Sequence, residues 1–197
     1  MGRQMIIAVG GEYGAGAHII ADNLAKRYNL PVYDARILKY IADEKNIDVE
    51  KIQKFDEIMK NRLFSRSVSG FSSSPEETVA QMEFDFLKEK AANGDSFIVV
   101  NRCANSLLNS YEGLISIFVT SDMQHKIERV VDLYDVSEEK AKIMIIKNNK
   151  NRKSYHNYYC KEKWGDSRYY ELTVNTGKIG LDAAADVVDH YIGKRMK

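Results

Sequence analysis

Apolar residues follow two rhythms along this chain. The short unbroken runs Met5–Val9, Phe97–Val100 and Leu114–Val119 predict strands buried on both faces. Between them, apolar positions recur every three or four residues. Ala17, Ile20, Ala21, Leu24, Ala25 and Tyr28 share one helical face, and Asn29 closes that helix. Leu30–Tyr33 reads as a short strand ending at Asp34, and Ile37, Leu38, Ile41 and Ala42 mark a second helix. Asp48 caps a third helix, over 48–63. Residues 65–74, rich in serine, predict a surface loop, and Ser74-Pro75-Glu76-Glu77 then forms a capping box for a helix that stops at Gly94. Ser121 with Gln124 is a second capping box. Ser137 opens a long helix rich in Lys and Asn toward its end. Tyr170–Val174 is a last strand, and Asp182 caps a terminal helix with Ala185, Val188 and Ile192 inward.

Strands alternating with helices predict an α/β fold with a parallel sheet of about five strands flanked by helices. In such sheets, ligands bind beyond the carboxyl ends of the strands. Here those ends hold residues 10–18, Tyr33-Asp34, Asn101-Arg102, Thr120-Ser121 and Asn175-Thr176. The length of 197 residues fits a single domain over 1–197, and a net charge of +1 gives no global pull toward nucleic acid or membrane. No run approaches the length of a membrane helix. Cys103 and Cys160 lie far apart, and the four histidines have no metal-ligand spacing, so no metal site is predicted and a reduced, cytoplasmic protein is expected.

The chemistry concentrates behind the first strand. Gly10-Gly11-Glu12-Tyr13-Gly14-Ala15-Gly16-Ala17-His18 places Gly11 and Gly16 at the spacing of the glycines of a phosphate-binding P-loop. Glycines let backbone N–H groups converge on an anion, and the following helix adds partial positive charge. Ala17 and His18 stand where that loop would carry Lys and Ser or Thr. His18 would substitute for the cation only when protonated. A dinucleotide fingerprint is the rival: Gly14 and Gly16 supply its first two glycines and Asp34 its acid, but Ile19 occupies the third glycine's place. Arg102, directly after a central strand, suits a bidentate phosphate contact. Residues 147–163 interleave six Lys and Arg with Tyr155, His156, Tyr158 and Tyr159, ahead of Trp164. They read as a cationic lid over phosphates or a stacking surface for single strands. Asn148, Asn149 and Asn151 suggest a segment that bends or moves.

The glycine turn, Tyr33-Asp34, Asn101-Arg102-Cys103-Ala104, Arg152 with Tyr158-Tyr159, Trp164-Gly165-Asp166 and Tyr170-Glu171-Leu172 together resemble the cytidylate kinase-like family, a divergent branch of the nucleoside monophosphate kinases. The likeness spans roughly residues 5–190. It implies a P-loop kinase-like core, a helical acceptor-binding region over 35–93 and a helical lid over 137–168. By that resemblance, Gly11, Glu12, Tyr13, Gly14, Ala15, Gly16, Ala17 and His18 cradle the phosphates of ATP. Tyr33, Asp34, Arg36 and Arg102 meet the acceptor, and Arg102, Arg129, Lys150 and Arg152 supply the catalytic cations. Mg²⁺ is the implied metal cofactor, and CMP or a related nucleotide the acceptor. The branch tends to read G-R-E-Y-G-S-G-G-R through the turn. Here Gly11 replaces the first arginine, Ala17 a glycine and His18 the last arginine, and Asn149 stands where Asp commonly precedes the lid arginine. Two alternatives stay open: a non-catalytic binder of nucleotides or other phosphorylated small molecules on the same fold and, ranked last, a nucleic-acid-binding module using 147–163.

Overall fold

The computed structural model describes residues 3–34, 36–45, 75–101 and 103–197. The helix expected over 48–63, the loop over 65–74 with the capping Ser74, and Arg102 lie outside the described residues. Strands β1 (Ile6–Gly11), β2 (Val32–Tyr33), β3 (Phe97–Val100), β4 (Leu114–Thr120) and β5 (Leu172–Asn175) form one parallel sheet in the order β2-β3-β1-β4-β5. The described helices are α1 (Ala17–Tyr28), α2 (Ile37–Lys45), α3 (Pro75–Ala92), α4 (Ala104–Leu107), α5 (Met123–Tyr134), α6 (Glu138–Tyr159), α7 (Thr176–Ile179) and α8 (Leu181–Arg195).

The strands are apolar at nearly every position because both faces of the sheet are covered. Ile6, Ala8, Phe97 and Val99 pack on one face with Ile37, Leu38 and Ile41 of α2 and Phe86 and Leu87 of α3. Their neighbours Ile7, Val9, Ile98 and Val100 turn to the other face, against Ile20, Ala21 and Leu24 of α1 and Ala184, Val188 and Ile192 of α8. Strand β1 is central, with Val9 level with Val100 on one side and Ile117 on the other. The chain builds one half of the sheet before crossing to the other. The turn after β1 therefore opens where the strand order reverses, the place where such sheets form a crevice.

Several boundaries differ from the sequence reading, β1 and β2 by one or two residues. The capping box at Ser121 does not form. Helix α5 starts behind Asp122, which makes no side-chain cap, and the Asp122 carboxylate is paired instead with Lys178 at 2.9 Å. Asp182 is not a cap: α8 starts behind Gly180, and Asp182 sits in its first turn, where a negative charge still favours the helix dipole. The last strand begins at Leu172, not Tyr170. Tyr170 is buried against Phe118, with ring centroids 4.9 Å apart.

Helices α5 and α6 form a hairpin over the glycine turn. Ile127 and Val130 meet Ala141 and Ile145, with Tyr13 of the turn packed against them. Helix α6 runs for 22 residues through Asn148, Asn149 and Asn151. Asn148 donates to the Met144 carbonyl at 2.8 Å, within its own helix. No described helix is long and apolar enough to cross a membrane.

One buried ion pair joins the hairpin to the sheet. Lys126 is only 5% exposed, and its Nζ donates to Glu12 Oε2 at 2.8 Å. The same oxygen accepts from Thr120 Oγ1 at 2.8 Å and the Ser121 N–H at 3.4 Å. Lys126→Met strands the Glu12 carboxylate, and we expect a loss of about 2–4 kcal/mol in chemical denaturation. Glu12→Gln combined with Lys126→Met removes both charges while keeping an acceptor for Thr120, and should recover a large part of that loss. An additive double-mutant cycle would mean that the pair is not coupled.

Candidate functional site

The turn between β1 and α1 is sorted by polarity. Its carbonyl oxygens are held from outside. Arg152 donates to Gly11 O at 2.7 Å, Arg129 donates to Gly14 O, and Thr176 Oγ1 donates to Ala15 O at 2.8 Å. Ala15 N–H closes onto Glu12 O at 3.1 Å. The Glu12 N–H goes to Val119 O at 3.0 Å and the Tyr13 N–H to Asn149 Oδ1 at 2.7 Å. Among the described residues, no acceptor takes the N–H of Gly14, Gly16, Ala17 or His18. Gly14 and Gly16 have φ values of 81° and 89°, in the left-handed region that lets successive amides point inward. Gly16 is also the N-cap of α1 and offers no side-chain cap, so the first-turn amides of that helix have no protein partner. Unpaired amides at a helix N-terminus make an anion site.

The other side of the site comes from α5 and α6. Asn149 and Arg152 are one turn apart and both reach the turn; the Arg152 guanidinium also lies 5.4 Å from the Tyr13 ring centroid. Tyr13 stacks on Tyr134 with centroids 6.4 Å apart, and burial raises its hydroxyl pKa above the ordinary tyrosine value. Lys150 is exposed, rotated about 100° from Asn149 around the helix and off the face that meets the turn. The Glu12 side chain faces Lys126 and the end of β4, which makes it a fastener of the turn.

At the end of β2, Asp34 is 6% exposed. It accepts from the Arg36 N–H at 2.8 Å and from Arg36 Nε at 3.0 Å. Burial pushes the Asp34 carboxyl up, but the Arg36 hydrogen bonds and charge outweigh it and hold the carboxyl below its ordinary value. His18 Nδ1 stands 3.8 Å from Asp34 Oδ2. Burial lowers the His18 pKa, and Arg152 lowers it further against the opposing pull of Asp34. The imidazole is therefore neutral at pH 7 and does not replace a lysine's charge. Tyr33 packs in the core, its ring centroid 5.1 Å from Phe86 and 5.4 Å from Phe97; its contribution here is to fix the backbone beneath Asp34.

These residues fit the phosphates of a nucleotide. The turn itself offers Mg²⁺ no free carboxylate: His18 stands where a P-loop has a hydroxyl, and the carboxylates of Glu12 and Asp34 are held by Lys126 and Arg36.

The aromatic residues near 147–163 are largely packed on protein rings. Tyr159 meets Phe84 at 5.3 Å and Tyr155 at 4.8 Å, and Trp164 meets Phe118 at 5.3 Å. Tyr158, 68% exposed, also lies edge-on to Tyr159, with centroids 4.8 Å apart. The two cysteines are not apart in space. Cys103, His156 and Cys160 bring their sulfur and nitrogen atoms within 4.8 Å of one another. Neither this cluster nor Lys126 was visible in sequence spacing, because their partners come from separate elements.

His18 gives a pH signature. Its pKa is lowered on folding, so the unfolded chain holds the proton more tightly. Stability should be fully present above the unfolded value of about 6.5 and fall as pH drops below it. The slope of unfolding free energy against pH between 5 and 7 should flatten in His18→Gln. An unchanged slope would mean that burial of His18 does not lower its pKa.

The sequence profile of the Cytidylate kinase-like family matches residues 6–178. The chain is 26% identical to the cytidylate kinase of Thermococcus kodakarensis over 186 residues, 93% of this chain and 86% of that protein. It is also 26% identical to the cytidylate kinase of Pyrococcus abyssi over 196 residues, 96% of this chain and 97% of that one. An uncharacterized protein from Eubacterium ventriosum has a TM-score of 0.76 at 34% identity, covering 96% of this chain and 99% of that chain. The shikimate kinase of Bacteroides thetaiotaomicron has a TM-score of 0.56 at 13% identity, covering 96% and 98%, and shows that the fold is shared with P-loop kinases. With its parallel sheet and unpaired amides behind β1, the chain belongs to the cytidylate kinase-like family.

Proposed function

We propose that the protein is a phosphotransferase that moves the γ-phosphoryl group of ATP to CMP or a related nucleoside monophosphate. The observation that carries this reading is the set of unpaired amides of Gly14, Gly16, Ala17 and His18 at the carboxyl end of the central strand. Family membership and the names of the cytidylate kinase relatives support the acceptor class.

In this reading the amides hold the donor phosphates, and Arg152 takes the place of the missing lysine. Its guanidinium is already at the turn, on Gly11 O and near His18. Arg129, on Gly14 O, adds a second positive charge at the turn's edge. Phosphoryl transfer is largely a matter of positioning and of cations where charge develops. Residues 137–168 act as the lid, and 35–93 receive the acceptor. Asp34, held in place by Arg36, faces the acceptor base or sugar. Arg102 as the acceptor-phosphate ligand rests on the resemblance alone. Lys150 has no role in this scheme. One observation favours a second reading, a nucleotide binder without turnover: the carboxylates of Glu12 and Asp34 are already held by Lys126 and Arg36.

Calorimetry with ATP and a coupled turnover assay with CMP, dCMP, UMP and AMP separate these readings. We expect ATP binding and turnover with at least one acceptor. Arg152→Ala should lower kcat by about 100-fold or more while the protein stays folded. Binding without turnover selects the second reading; no ATP binding sinks both.

A further inference from the structure

A second cluster of reactive side chains lies where the lid helix meets the core. His156 and Cys160 are one turn apart at the carboxyl end of α6, and the Cys160 N–H donates to His156 O at 2.8 Å. Cys103 comes from the turn after β3, where its φ of 57° puts a non-glycine residue in the left-handed region. That conformation is costly for an L-residue and persists where surrounding contacts enforce it. The three ligand atoms lie within 4.8 Å of one another. Tetrahedral zinc with Zn–S bonds near 2.3 Å holds its sulfurs about 3.8 Å apart, so a small contraction suffices.

The surroundings suit a soft metal. Cys103 and His156 are each 5% exposed. Ala80, Phe84, Leu107, Tyr155 and Tyr159 pack around the cysteines. His156 Nε2 is buried and makes no hydrogen bond, although an imidazole nitrogen out of water needs a partner. A metal would supply one. Ser106, three residues after Cys103, donates to Glu162 Oε2 at 2.6 Å, and Glu162 lies two residues after Cys160, which places a carboxylate beside the cluster as outer support.

We propose that Cys103, His156 and Cys160 form a binding site for Zn²⁺, with the fourth position left to water. Two thiolates and an imidazole are a zinc donor set, and hard cations such as Mg²⁺ are poorly matched to it. Binding releases the thiol protons of Cys103 and Cys160 to solvent, and no electron changes hands. Two ligands belong to the lid and one to the turn after β3. The ion therefore fastens the end of α6 to the core, and it binds only when the two are docked. This site is independent of the nucleotide reading and is tested without nucleotide.

The probe is Co²⁺ added to the reduced, metal-free full-length protein. We expect one equivalent to bind, with a thiolate-to-cobalt charge-transfer band and the intense visible bands of tetrahedral cobalt. Zn²⁺ should bleach that spectrum stoichiometrically and slow the reaction of both thiols with a disulfide reagent. Cys103→Ser and Cys160→Ser should each weaken Co²⁺ binding beyond the roughly 10–100-fold that loss of a supporting group costs. Their far-ultraviolet circular dichroism reports that they still fold, and a rise in the wild-type Tm on Zn²⁺ addition checks the site without substitution. The proposal is overturned if reduced wild-type protein gives no charge-transfer band, or if the spectrum survives both serine substitutions. It is equally overturned if mild oxidation joins Cys103 to Cys160 while the reduced protein takes up no metal.

Discussion

The structure depends on how the peptide groups of one turn are oriented. The carbonyls of Gly11, Gly14 and Ala15 are drawn outward by Arg152, Arg129 and Thr176, and three different elements supply these donors. A peptide group that points its oxygen one way points its N–H the other. Fixing the carbonyls therefore fixes the direction of the amides, and the left-handed conformations at Gly14 and Gly16 make that orientation affordable. The direction of these amides is thus a product of the whole domain, because α6, α5 and the β5–α7 junction all hold the turn.

The same ties explain the placement of the helical hairpin. Its near half packs Ile127, Val130, Ala141 and Ile145 beside Tyr13. Its middle sends Asn149 and Arg152 to the turn. Its far end carries His156 and Cys160 toward Cys103, and Tyr159 onto Phe84 of α3. One continuous helix touches the turn and both flanks of the crevice, and Asn148 bonds within it to the Met144 carbonyl.

What was legible in the sequence follows from how local each cause is. The strands and α1 were readable because side-chain alternation and the three-to-four rhythm are local consequences of which face meets the core. The glycine turn was readable because only glycine takes its backbone angles cheaply. Helix starts were less so: Asp122 gives its carboxylate to Lys178, a tertiary partner that no capping rule contains. Tyr33 looked like a ligand contact from its place at a strand end, yet its ring turns into the core. Lys126, and the meeting of Cys103 with His156 and Cys160, depend on the docking of elements remote in sequence. Spacing rules for charges and metal ligands cannot register such contacts.

A cation on the lid has a different consequence from a cation in the turn. A lysine following Gly16 would meet the phosphate whatever the lid did. Arg152 reaches the turn only when α6 is docked, as it is here through Gly11 O. A guanidinium has five N–H donors in a planar fork, enough to hold a main-chain oxygen and a phosphate together, whereas an ammonium has three on a point charge. In the proposed reading, neutralising the donor phosphates and closing the lid are then one event. Phosphate binding supplies part of the free energy of closure, and an open lid leaves the turn short of charge. In that reading, control of the charged step lies with α6 and not with the turn, and water is kept from the phosphates once α6 is docked.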